Sequence, residues 1–261
     1  MMRSLYTGAS GMVAQQLNID VISNNLANVN TTGFKKSRAE FEDLMYQTMK
    51  IAGSITEGDN SLPVGIQVGM GVRPTAVHKF FTQGDFQNTG NALDVAIEGD
   101  GFFQVEVNGD LMYTRSGSFK LNQDGTVVTA NGYILQPEFA VPAETKNISI
   151  SSSGHIAALD AEGQEIAGAE IPIYTFINPA GLDARGRNLY TPTEASGDEQ
   201  EGVPGEDNVG TLAQGFLEMS NVEVVDEMVN MIVGQRAYEV NSKSIQTSDS
   251  MLGIAVQLKR S

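Results

Sequence analysis

The last forty-odd residues, 215–259, constrain the fold of this chain more than any other stretch. Read at helical spacing, they carry two apolar stripes that alternate steps of three and four residues, the pattern of a helix with two apolar faces. The first stripe holds Val224, Met228, Met231, Tyr238, Ile245, Leu252 and Val256, and the second holds Val233, Ala237, Val240, Met251, Ile254 and Leu258. No proline follows Pro204 to break such a helix. We therefore predict one helix over residues 220–258, about 57 Å long.

The start of this helix is predicted at Ser220. Ser220 and Glu223 have the spacing of a capping box, in which each side chain accepts a hydrogen bond from the backbone of the other residue. Met219 and Val224 stand at the positions of the accompanying hydrophobic staple.

The first thirty residues offer a partner for one of the two stripes. Residues of this segment repeat every seven positions in two series, Leu5, Met12, Ile19 and Leu26, and Gly8, Gln15, Ile22 and Val29. One interpretation is a self-contained helical hairpin. However, one partner helix covers only one stripe, and an uncovered apolar stripe usually meets another chain. The pattern therefore favours assembly with other chains.

Composition and charge exclude several classes of function. The chain has 261 residues, 41% of them hydrophobic, with no cysteine and no tryptophan, so it is globular and has neither disulfides nor thiolate metal sites. The net charge is −16; residues 1–45 are neutral and residues 217–261 carry −2, which leaves −14 for the middle. Such a middle is a solvated, self-repelling surface, and nucleic-acid binding is not expected. We see no cleavable export signal and expect no membrane insertion.

Between the terminal helices the sequence predicts an arm and a β-rich region. The first helix is predicted over Ser4 to Asn28, ended by an asparagine cluster and by Gly33. Residues 46–74 are rich in glycine and alternate it with apolar residues, which favours an extended arm or hairpin over a flexible linker. From residue 75 to 216, short alternating runs are separated by Asn-Gly and Asp-Gly pairs, so we predict an antiparallel barrel or sandwich. The acidic stretch 194–207 is predicted to be a solvated loop.

We find no catalytic residues, no metal ligands and no cofactor-binding motif in the sequence. His78 and His155 are the only histidines and lack the spacing of a metal site. The carboxylates of Glu98 and Asp100 flank Gly99, and turn chemistry explains them better than an acid pair. An enzyme is therefore not expected.

Three blocks together resemble the bacterial flagellar basal-body rod and hook family. Residues 22–35 (ISNNLANVNTTGFK) resemble the N-terminal signature of that family, and residues 219–239 resemble its C-terminal signature. Residues 95–105 (VAIEGDGFFQV), with Tyr113-Thr114-Arg115 and Gly117-Ser118-Phe119, resemble its β-domain. The insertion that includes PVGIQVGMGVRP at residues 63–74 resembles that of the distal rod branch. Tyr6, where relatives often have tryptophan, and the acidic 194–207 loop depart from the family pattern.

The resemblance implies an α+β fold with a discontinuous domain arrangement. Residues 1–45 and 217–261 would form a coiled-coil-like helical core domain, residues 46–74 an arm between subunits, and residues 75–216 an outer β-domain. The implied function is a structural subunit of the distal rod, a rigid helical tube that transmits torque from motor to hook across the periplasm. Implied partners are copies of itself, proximal rod proteins and hook protein at the two ends, and the surrounding ring proteins. Export would use the flagellar type III secretion channel.

The residues expected to serve these roles fall into five groups. The assembly core is Leu5, Met12, Ile19, Ile22, Leu26, Val224, Met228, Met231, Tyr238, Ile245 and Leu252. The loop signature is Asn24, Asn25, Asn28, Gly33 and Phe34, the helix cap is Ser220 and Glu223, and the arm is Tyr46, Pro63, Gly65, Gly69 and Gly71. Arg236 is a candidate for an ion pair between subunits.

Two other readings stay open at this point. A proximal rod or hook subunit would share the terminal helices, and deletion of residues 46–72 would separate the two readings by whether the tube stays straight or becomes curved. A secreted enzyme or adhesin whose helices merely dimerise would be a folded, monodisperse monomer with hydrolytic activity.

Overall fold

The computed structural model describes residues 2–51, 55–56, 60–61, 63–206 and 209–260. It has an α-helix near each end of the chain, α1 (Met2–Ala27) and α2 (Val224–Arg260), which confirms the two predicted helices. Helix α2 begins four residues later than the sequence predicts.

Twenty-two strands lie between the helices in the described residues. The first seven are β1 (Ser37–Asp43), β2 (Tyr46–Lys50), β3 (Ile55–Thr56), β4 (Asn60–Ser61), β5 (Ile66–Gly69), β6 (Val72–Lys79) and β7 (Phe86–Asn88). The next eight are β8 (Val95–Glu98), β9 (Phe103–Val107), β10 (Asp110–Thr114), β11 (Phe119–Leu121), β12 (Val127–Thr129), β13 (Ile134–Leu135), β14 (Asn147–Ile150) and β15 (His155–Leu159). The last seven are β16 (Glu165–Glu170), β17 (Ile173–Thr175), β18 (Asp183–Gly186), β19 (Leu189–Thr191), β20 (Gln200–Gly202), β21 (Thr211–Gln214) and β22 (Phe216–Glu218).

The chain divides into two compact units. Unit 1 consists of Met1–Leu26, Ser37–His78 and Val224–Ser261, and unit 2 consists of Ala27–Lys36 and Lys79–Glu223. Each unit is therefore built from segments that are far apart in sequence.

Unit 1 contains the two helices and two-stranded antiparallel ladders. Contacts between the helices run in opposite directions along the chain. Ser4 lies opposite Ser248, while Ile19 lies opposite Gly234, so α1 and α2 pack antiparallel. Strand β1 pairs with β6, β2 with β5, and β3 with β4.

Unit 2 is an antiparallel β-domain. Its largest sheet has the order β11-β12-β13-β9-β10-β19-β18, and a second sheet has the order β14-β15-β16. A single cluster of buried side chains from both sheets includes Phe103, Val105, Ile150, Ile156 and Ala158. In the described residues the seven-stranded sheet is open at β11 and β18, so the coarser prediction of an antiparallel sheet domain is confirmed but a closed barrel is not observed.

The turn pairs found in the sequence lie where the chain reverses. Asn108 and Gly109 have positive φ angles of 54° and 93° and join β9 to β10, which is the backbone geometry of a tight hairpin turn. Gly125 and Gly132 also have positive φ angles, 77° and 85°. The shortest hairpins of unit 2 are therefore specified locally by the sequence.

Candidate assembly surface

The contact between α1 and α2 uses small and polar residues at many of its positions. A Cβ atom added to Gly8 would lie 2.9 Å from Ile245 Cγ1, and a Cβ atom added to Gly11 would lie 2.9 Å from Asn241 Nδ2. The hydroxyl groups of Ser4 and Ser248 are 3.1 Å apart. The helices therefore approach closely, but they bury few large apolar side chains against each other.

The predicted assembly-core residues divide between this contact and the helix exterior. Ile22 is buried, and those that are half-buried are Leu5, Met12, Ile19, Leu26, Met231, Ile245 and Leu252. Tyr238 is 40% exposed, Val224 39% and Met228 52%. These three side chains are therefore exposed on α2, whereas Glu227 and Gly234 of the same helix are buried, Gly234 against Ile19 of α1.

Large apolar side chains of α2 remain on the outside. Val225, Val233 and Val240 are 68%, 62% and 68% exposed, and Ile232 and Ile254 are 56% and 58% exposed. All but six of the exposed large apolar side chains in the described residues belong to unit 1. Soluble monomers rarely expose apolar surface on this scale, so it marks an interaction surface.

Arg236 has an ionic partner within its own helix. Its Nη1 atom lies 2.8 Å from Glu239 Oε2, and both side chains are mostly exposed. A pair of this kind contributes only about 0.5 kcal/mol or less. An ion pair between subunits at Arg236 remains a prediction.

Asn25 fixes the chain where α1 ends. Its side-chain amide donates to the carbonyl oxygen of Ser37 at 2.8 Å, and its side-chain oxygen accepts from the N–H of Ser37 at 2.9 Å. Asn25 is 1% exposed. Asn28 accepts a hydrogen bond from the hydroxyl of Thr31, and Asn24 is exposed. Asn25, one of the signature asparagines, therefore closes the loop between α1 and β1 by satisfying both backbone groups of Ser37.

Gly33 occupies a position that admits no side chain. Its φ angle is 69°, and a Cβ atom there would lie 2.7 Å from the backbone nitrogen of Ser116 and 2.8 Å from the carbonyl carbon of Arg115. Its N–H donates to the carbonyl of Glu218 at 2.8 Å. Next to it, the ring of Phe34 faces the ammonium group of Lys79, 5.6 Å from the ring centroid. The signature loop is therefore packed tightly against the sheet of unit 2.

A buried cluster of three charges lies in unit 2. Glu218 accepts from Lys35 Nζ at 2.7 Å through one carboxylate oxygen and from Arg115 Nε at 2.6 Å through the other. The exposed fractions are 0% for Lys35, 4% for Arg115 and 2% for Glu218. Lys35 also donates to the carbonyl of Thr82 at 2.7 Å, and the guanidinium of Arg115 donates to the carbonyls of Gly101, Gly99 and Ile97.

The environment of Glu218 favours its charged form. Burial alone would raise the pKa of Glu218. The charges of Arg115 and Lys35, with hydrogen bonds from Lys35 and the N–H of Gly84, outweigh burial and hold the pKa below its usual value. Removing the carboxylate of Glu218 would leave two buried cations without a counter-charge.

Asn221 adds a second connection between the same segments. Its side-chain oxygen accepts from the N–H of Lys36 at 2.8 Å, and its amide donates to the carbonyls of Phe80 and Thr82 at 2.9 and 3.1 Å. We call Lys35, Arg115, Glu218 and Asn221 the clasp, because they join residues 33–36, 80–84, 115 and 216–221. The clasp therefore connects the N-terminal and C-terminal segments of unit 2.

The capping box predicted at Ser220 and Glu223 is wrong. Helix α2 begins at Val224, and the Ser220 hydroxyl accepts a hydrogen bond from the N–H of Val222 at 3.3 Å instead. Residues 221–223 are not helical, because the side chain of Asn221 holds this segment against the backbone of residues 36 and 80–82.

The arm residues lie on and beside the β2–β5 ladder of unit 1. Tyr46 pairs with Gly69, and a Cβ atom on Gly69 would contact the Tyr46 ring at 3.5 Å. Gly71, with a φ angle of 123°, packs against the Ser10 side chain of α1. Pro63 is exposed and Gly65 is half-buried. Residues 52–54, 57–59 and 62, also part of the predicted arm, lie outside the described residues, as does Asp207 of the acidic loop.

Sequence reasoning did not select the three charges of the clasp as site residues. Lys35 and Arg115 stand within the motif blocks, but a charge in a loop or strand is normally expected at the surface. One sequence feature indicated that the carboxylate of Glu218 is buried: it directly follows the apolar pair Phe216-Leu217 in a strand.

Among the described residues, no group of three or more His, Asp or Glu side chains is arranged to hold a metal ion. Neither helix has the long apolar run that a bilayer crossing needs, within the part of the chain described.

The chain combines an antiparallel β-domain with a helix pair whose large apolar side chains are exposed. These features define a class of proteins that bind other chains through their terminal helices. Three family models match this chain in order. They are described as "Flagella basal body rod protein" over residues 5–35, "Flagellar hook protein FlgE/F/G D1 domain" over 96–158 and "Flagellar basal body rod FlgEFG protein C-terminal" over 213–258. This chain belongs to the flagellar basal-body rod and hook protein family, whose members are structural proteins and not enzymes.

Several relatives that are similar over the full length carry the name flagellar basal-body rod protein FlgG. The flagellar basal-body rod protein FlgG of Borreliella burgdorferi is 52% identical over 264 residues, covering 100% of both chains. The protein of the same name from Buchnera aphidicola subsp. Schizaphis graminum is 48% identical over 260 residues, covering 99% of this chain and 100% of the relative. That of Caulobacter vibrioides is 46% identical over 261 residues, with the same coverage. The similarity to the distal rod branch of the family is therefore confirmed.

Gly33→Ala is expected to destabilise unit 2 far more than Gly132→Ala. Both glycines have positive φ angles, so both substitutions carry the left-handed strain of about 1 kcal/mol. Only at Gly33 would the new methyl group meet backbone atoms, whereas nothing lies within 4 Å at Gly132. Urea unfolding followed by near-ultraviolet circular dichroism of the buried tyrosines measures the difference. Equal losses for the two variants would contradict the packing described for Gly33.

Glu218→Gln is expected to cost about 3–5 kcal/mol of unfolding free energy, because it leaves two cations buried around a neutral amide. Glu239→Gln, which removes the partner of Arg236 on an exposed helix surface, is the matched control and should change stability by less than about 1 kcal/mol. The same unfolding assay measures both variants. A loss at Glu218 as small as that of the control would rule out a structural role for the clasp.

The advantage of the wild type over Glu218→Gln is expected to shrink in acid. The pKa of Glu218 is lowered in the folded state, so its charge stabilises the fold fully above the unfolded pKa of about 4.3. That contribution is lost as the pH falls through the lower, folded pKa. Unfolding free energies of both proteins between pH 7 and strong acid give the difference at each pH. A difference that stays constant would show that the carboxylate charge is not what stabilises the cluster.

Proposed function

We propose that this chain is the structural subunit of the distal flagellar rod and that it polymerises through its terminal helices into a rigid helical tube. The observation that carries the proposal is the combination of full-length similarity to FlgG proteins with a helix pair whose large apolar side chains are exposed. Neighbouring chains that cover this apolar surface would explain why it is exposed in a single chain.

The proposed tube is built from heterologous contacts between copies. A contact that joins two different surface patches of the same protein, and that does not close into a ring, generates an open helical filament. The two differently placed apolar stripes of the C-terminal helix would supply such patches. The charge distribution favours the same interface, because the middle of the sequence carries −14 of the net −16 and repels its equivalent on other copies.

The proposed domain arrangement assigns each part of the chain a place in the tube. Residues 1–45 and 217–261 form the inner layer with coiled-coil-like packing, residues 46–74 lie between subunits, and residues 75–216 form the outer layer as a two-sheet sandwich. The shared buried cluster of the two sheets supports the sandwich. The assembly-core residues, including the exposed Val224 and Met228, are proposed to become buried between copies. Arg236 is proposed to pair there with a carboxylate of a neighbour.

The terminal helices are proposed to gain order on assembly. The contact between α1 and α2 contains Gly8, Gly234, Ser248 and Asn241, so it buries less apolar area than a typical helix contact. Helices that lack tertiary packing on their apolar faces are marginally stable in water. Contacts from neighbouring copies would supply the missing burial.

The tube acts mechanically, by transmitting torque from the motor to the hook across the periplasm. Its proposed partners are further copies of this chain, proximal rod proteins and hook protein at its two ends, and the basal-body rings around it. Export through the flagellar type III secretion channel would deliver the subunits. The function would then depend on residues that pack between subunits, and no residue would have a catalytic role.

The double substitution Val233→Gln and Val240→Gln is expected to prevent polymerisation while leaving the monomer intact. Both valines are more than 60% exposed, and glutamine has a higher helix propensity than valine, so the isolated helix should not be weakened. Burial of each valine between copies would contribute about 1.5 kcal/mol at every contact. Sedimentation of polymer and far-ultraviolet circular dichroism of monomer and polymer measure the two effects.

Gln235→Ala together with Gln246→Ala is the matched control, since both glutamines are exposed and polar on the same helix. We expect this control to polymerise and to gain helix content on assembly, as the wild type should. Normal polymerisation of the valine variant, or a wild-type monomer that is fully helical and never polymerises, would contradict the proposed function.

A further inference from the structure

The β2–β5 ladder of unit 1 has two open edges. Tyr46, Gln47 and Thr48 of β2 pair with Gly69, Val68 and Gln67 of β5, and within the described residues neither strand pairs with a third one. The backbone N–H and C=O groups on the outer side of each strand can therefore accept another strand. Two strands alone are only marginally stable in water.

Features that normally prevent pairing between molecules are confined to the Lys50 end of β2. Charged side chains, proline and inward-pointing charges usually protect an exposed edge. Strand β2 carries Lys50 as its single charge, and β5 carries none. The side chains of β2 are all exposed, and Tyr46 and Met49 are 56% and 60% exposed. A register shift after Thr48 limits the regular part of β2 to residues 46–48.

The charge distribution identifies a second copy as the partner best suited to these edges. The chain has a net charge of −16, and two copies therefore repel each other over most of their surface. The ladder is a nearly uncharged segment at which they can approach closely. An open groove of about 950 Å³ borders β5 at Val68 and Gly69, which leaves space beside the strand. The helix residues that line it are Met2, Arg3, Ser4, Thr7, Gly8, Asn241 and Ser244.

We propose that the arms of successive copies pair edge to edge, β5 of one copy with β2 of the next. Because β2 and β5 run antiparallel within each arm, arms placed side by side in the same orientation form one continuous antiparallel sheet. This contact joins two different edges and leaves one free at each end, so it propagates without closing, as an open polymer requires. The inference rests on the proposed function and specifies how the arm lies between subunits.

Disulfide trapping between two singly substituted proteins tests this pairing. The chain contains no cysteine, so every disulfide comes from the introduced residues. Thr48→Cys and Gln67→Cys proteins, carrying tags of different size, are mixed, polymerised and treated with a mild oxidant. Arms placed side by side without a shift along the strands repeat the register of each arm. Gln67 of one copy then lies opposite Thr48 of the next, within the Cα separation of about 4.4–6.8 Å that a disulfide requires.

We expect mixed Thr48→Cys/Gln67→Cys dimers in the polymer, at least about tenfold above their yield in dispersed monomers and above the yield from Ser149→Cys, an exposed position on β14. The protein with both substitutions in one chain is the positive control, because Thr48 and Gln67 are direct partners within the arm. The pair Gln47→Cys and Val68→Cys repeats the test on the other face of the ladder.

Each remaining outcome rejects the pairing for a distinguishable reason. Disulfides that join only identical variants would show a symmetric contact between arms. Polymers without mixed disulfides, for both pairs of positions, would reject edge pairing while leaving the proposed function intact. A wild-type protein that forms no polymer would reject the proposed function, and the edge pairing with it.

Discussion

The structure depends on an imbalance of apolar surface in its two terminal helices. Where α1 meets α2, the close approach requires Gly8, Gly11 and Gly234 and leaves room for Ser4 and Ser248 to hydrogen bond. The outward positions carry valines, isoleucines and methionines. In an ordinary soluble helix pair the distribution is the reverse. Each helix is therefore suited to be surrounded by other helices, and the pair within one chain supplies only one of the contacts it needs.

Unit 2 differs from the helix pair, because its apolar core is complete within one chain. Phe103, Val105, Ile156 and Ile173 are each 1% exposed or less, and the charges of the clasp are satisfied by one another and by backbone carbonyls. A buried ion cluster is costly to desolvate, so it adds little to stability compared with an apolar replacement, but it demands one specific arrangement. Here that arrangement brings segments from positions 33–36 and 216–221 together.

Elements with local causes were predictable from the sequence, and elements with tertiary causes were not. The asparagine–glycine hairpin at residues 108–109 and both helices follow from turn chemistry and periodicity. The capping box failed because Asn221 binds the backbone of residues 36 and 80–82, which keeps the chain extended past Ser220. Val224 and Met228 were selected for their size and spacing, yet they are exposed, while Glu227 and Gly234 of the same helix are buried. The charges of the clasp were not identified because burial cannot be read from spacing alone.

The division of charge between the parts of the chain explains why the arm has its composition. Repulsion between chains with a net charge of −16 prevents unspecific association. This repulsion must be weak at the surfaces through which copies bind each other. The terminal segments carry net charges of zero and −2, and strands β2 and β5 carry a single lysine between them. We propose that copies meet at these weakly charged segments. Apolar helix faces pack at a few preferred crossing angles with a scatter of about 15–20°, whereas a strand edge fixes both spacing and direction through its hydrogen bonds. A polymer that must be stiff as well as cohesive therefore has a physical reason to combine the two kinds of surface.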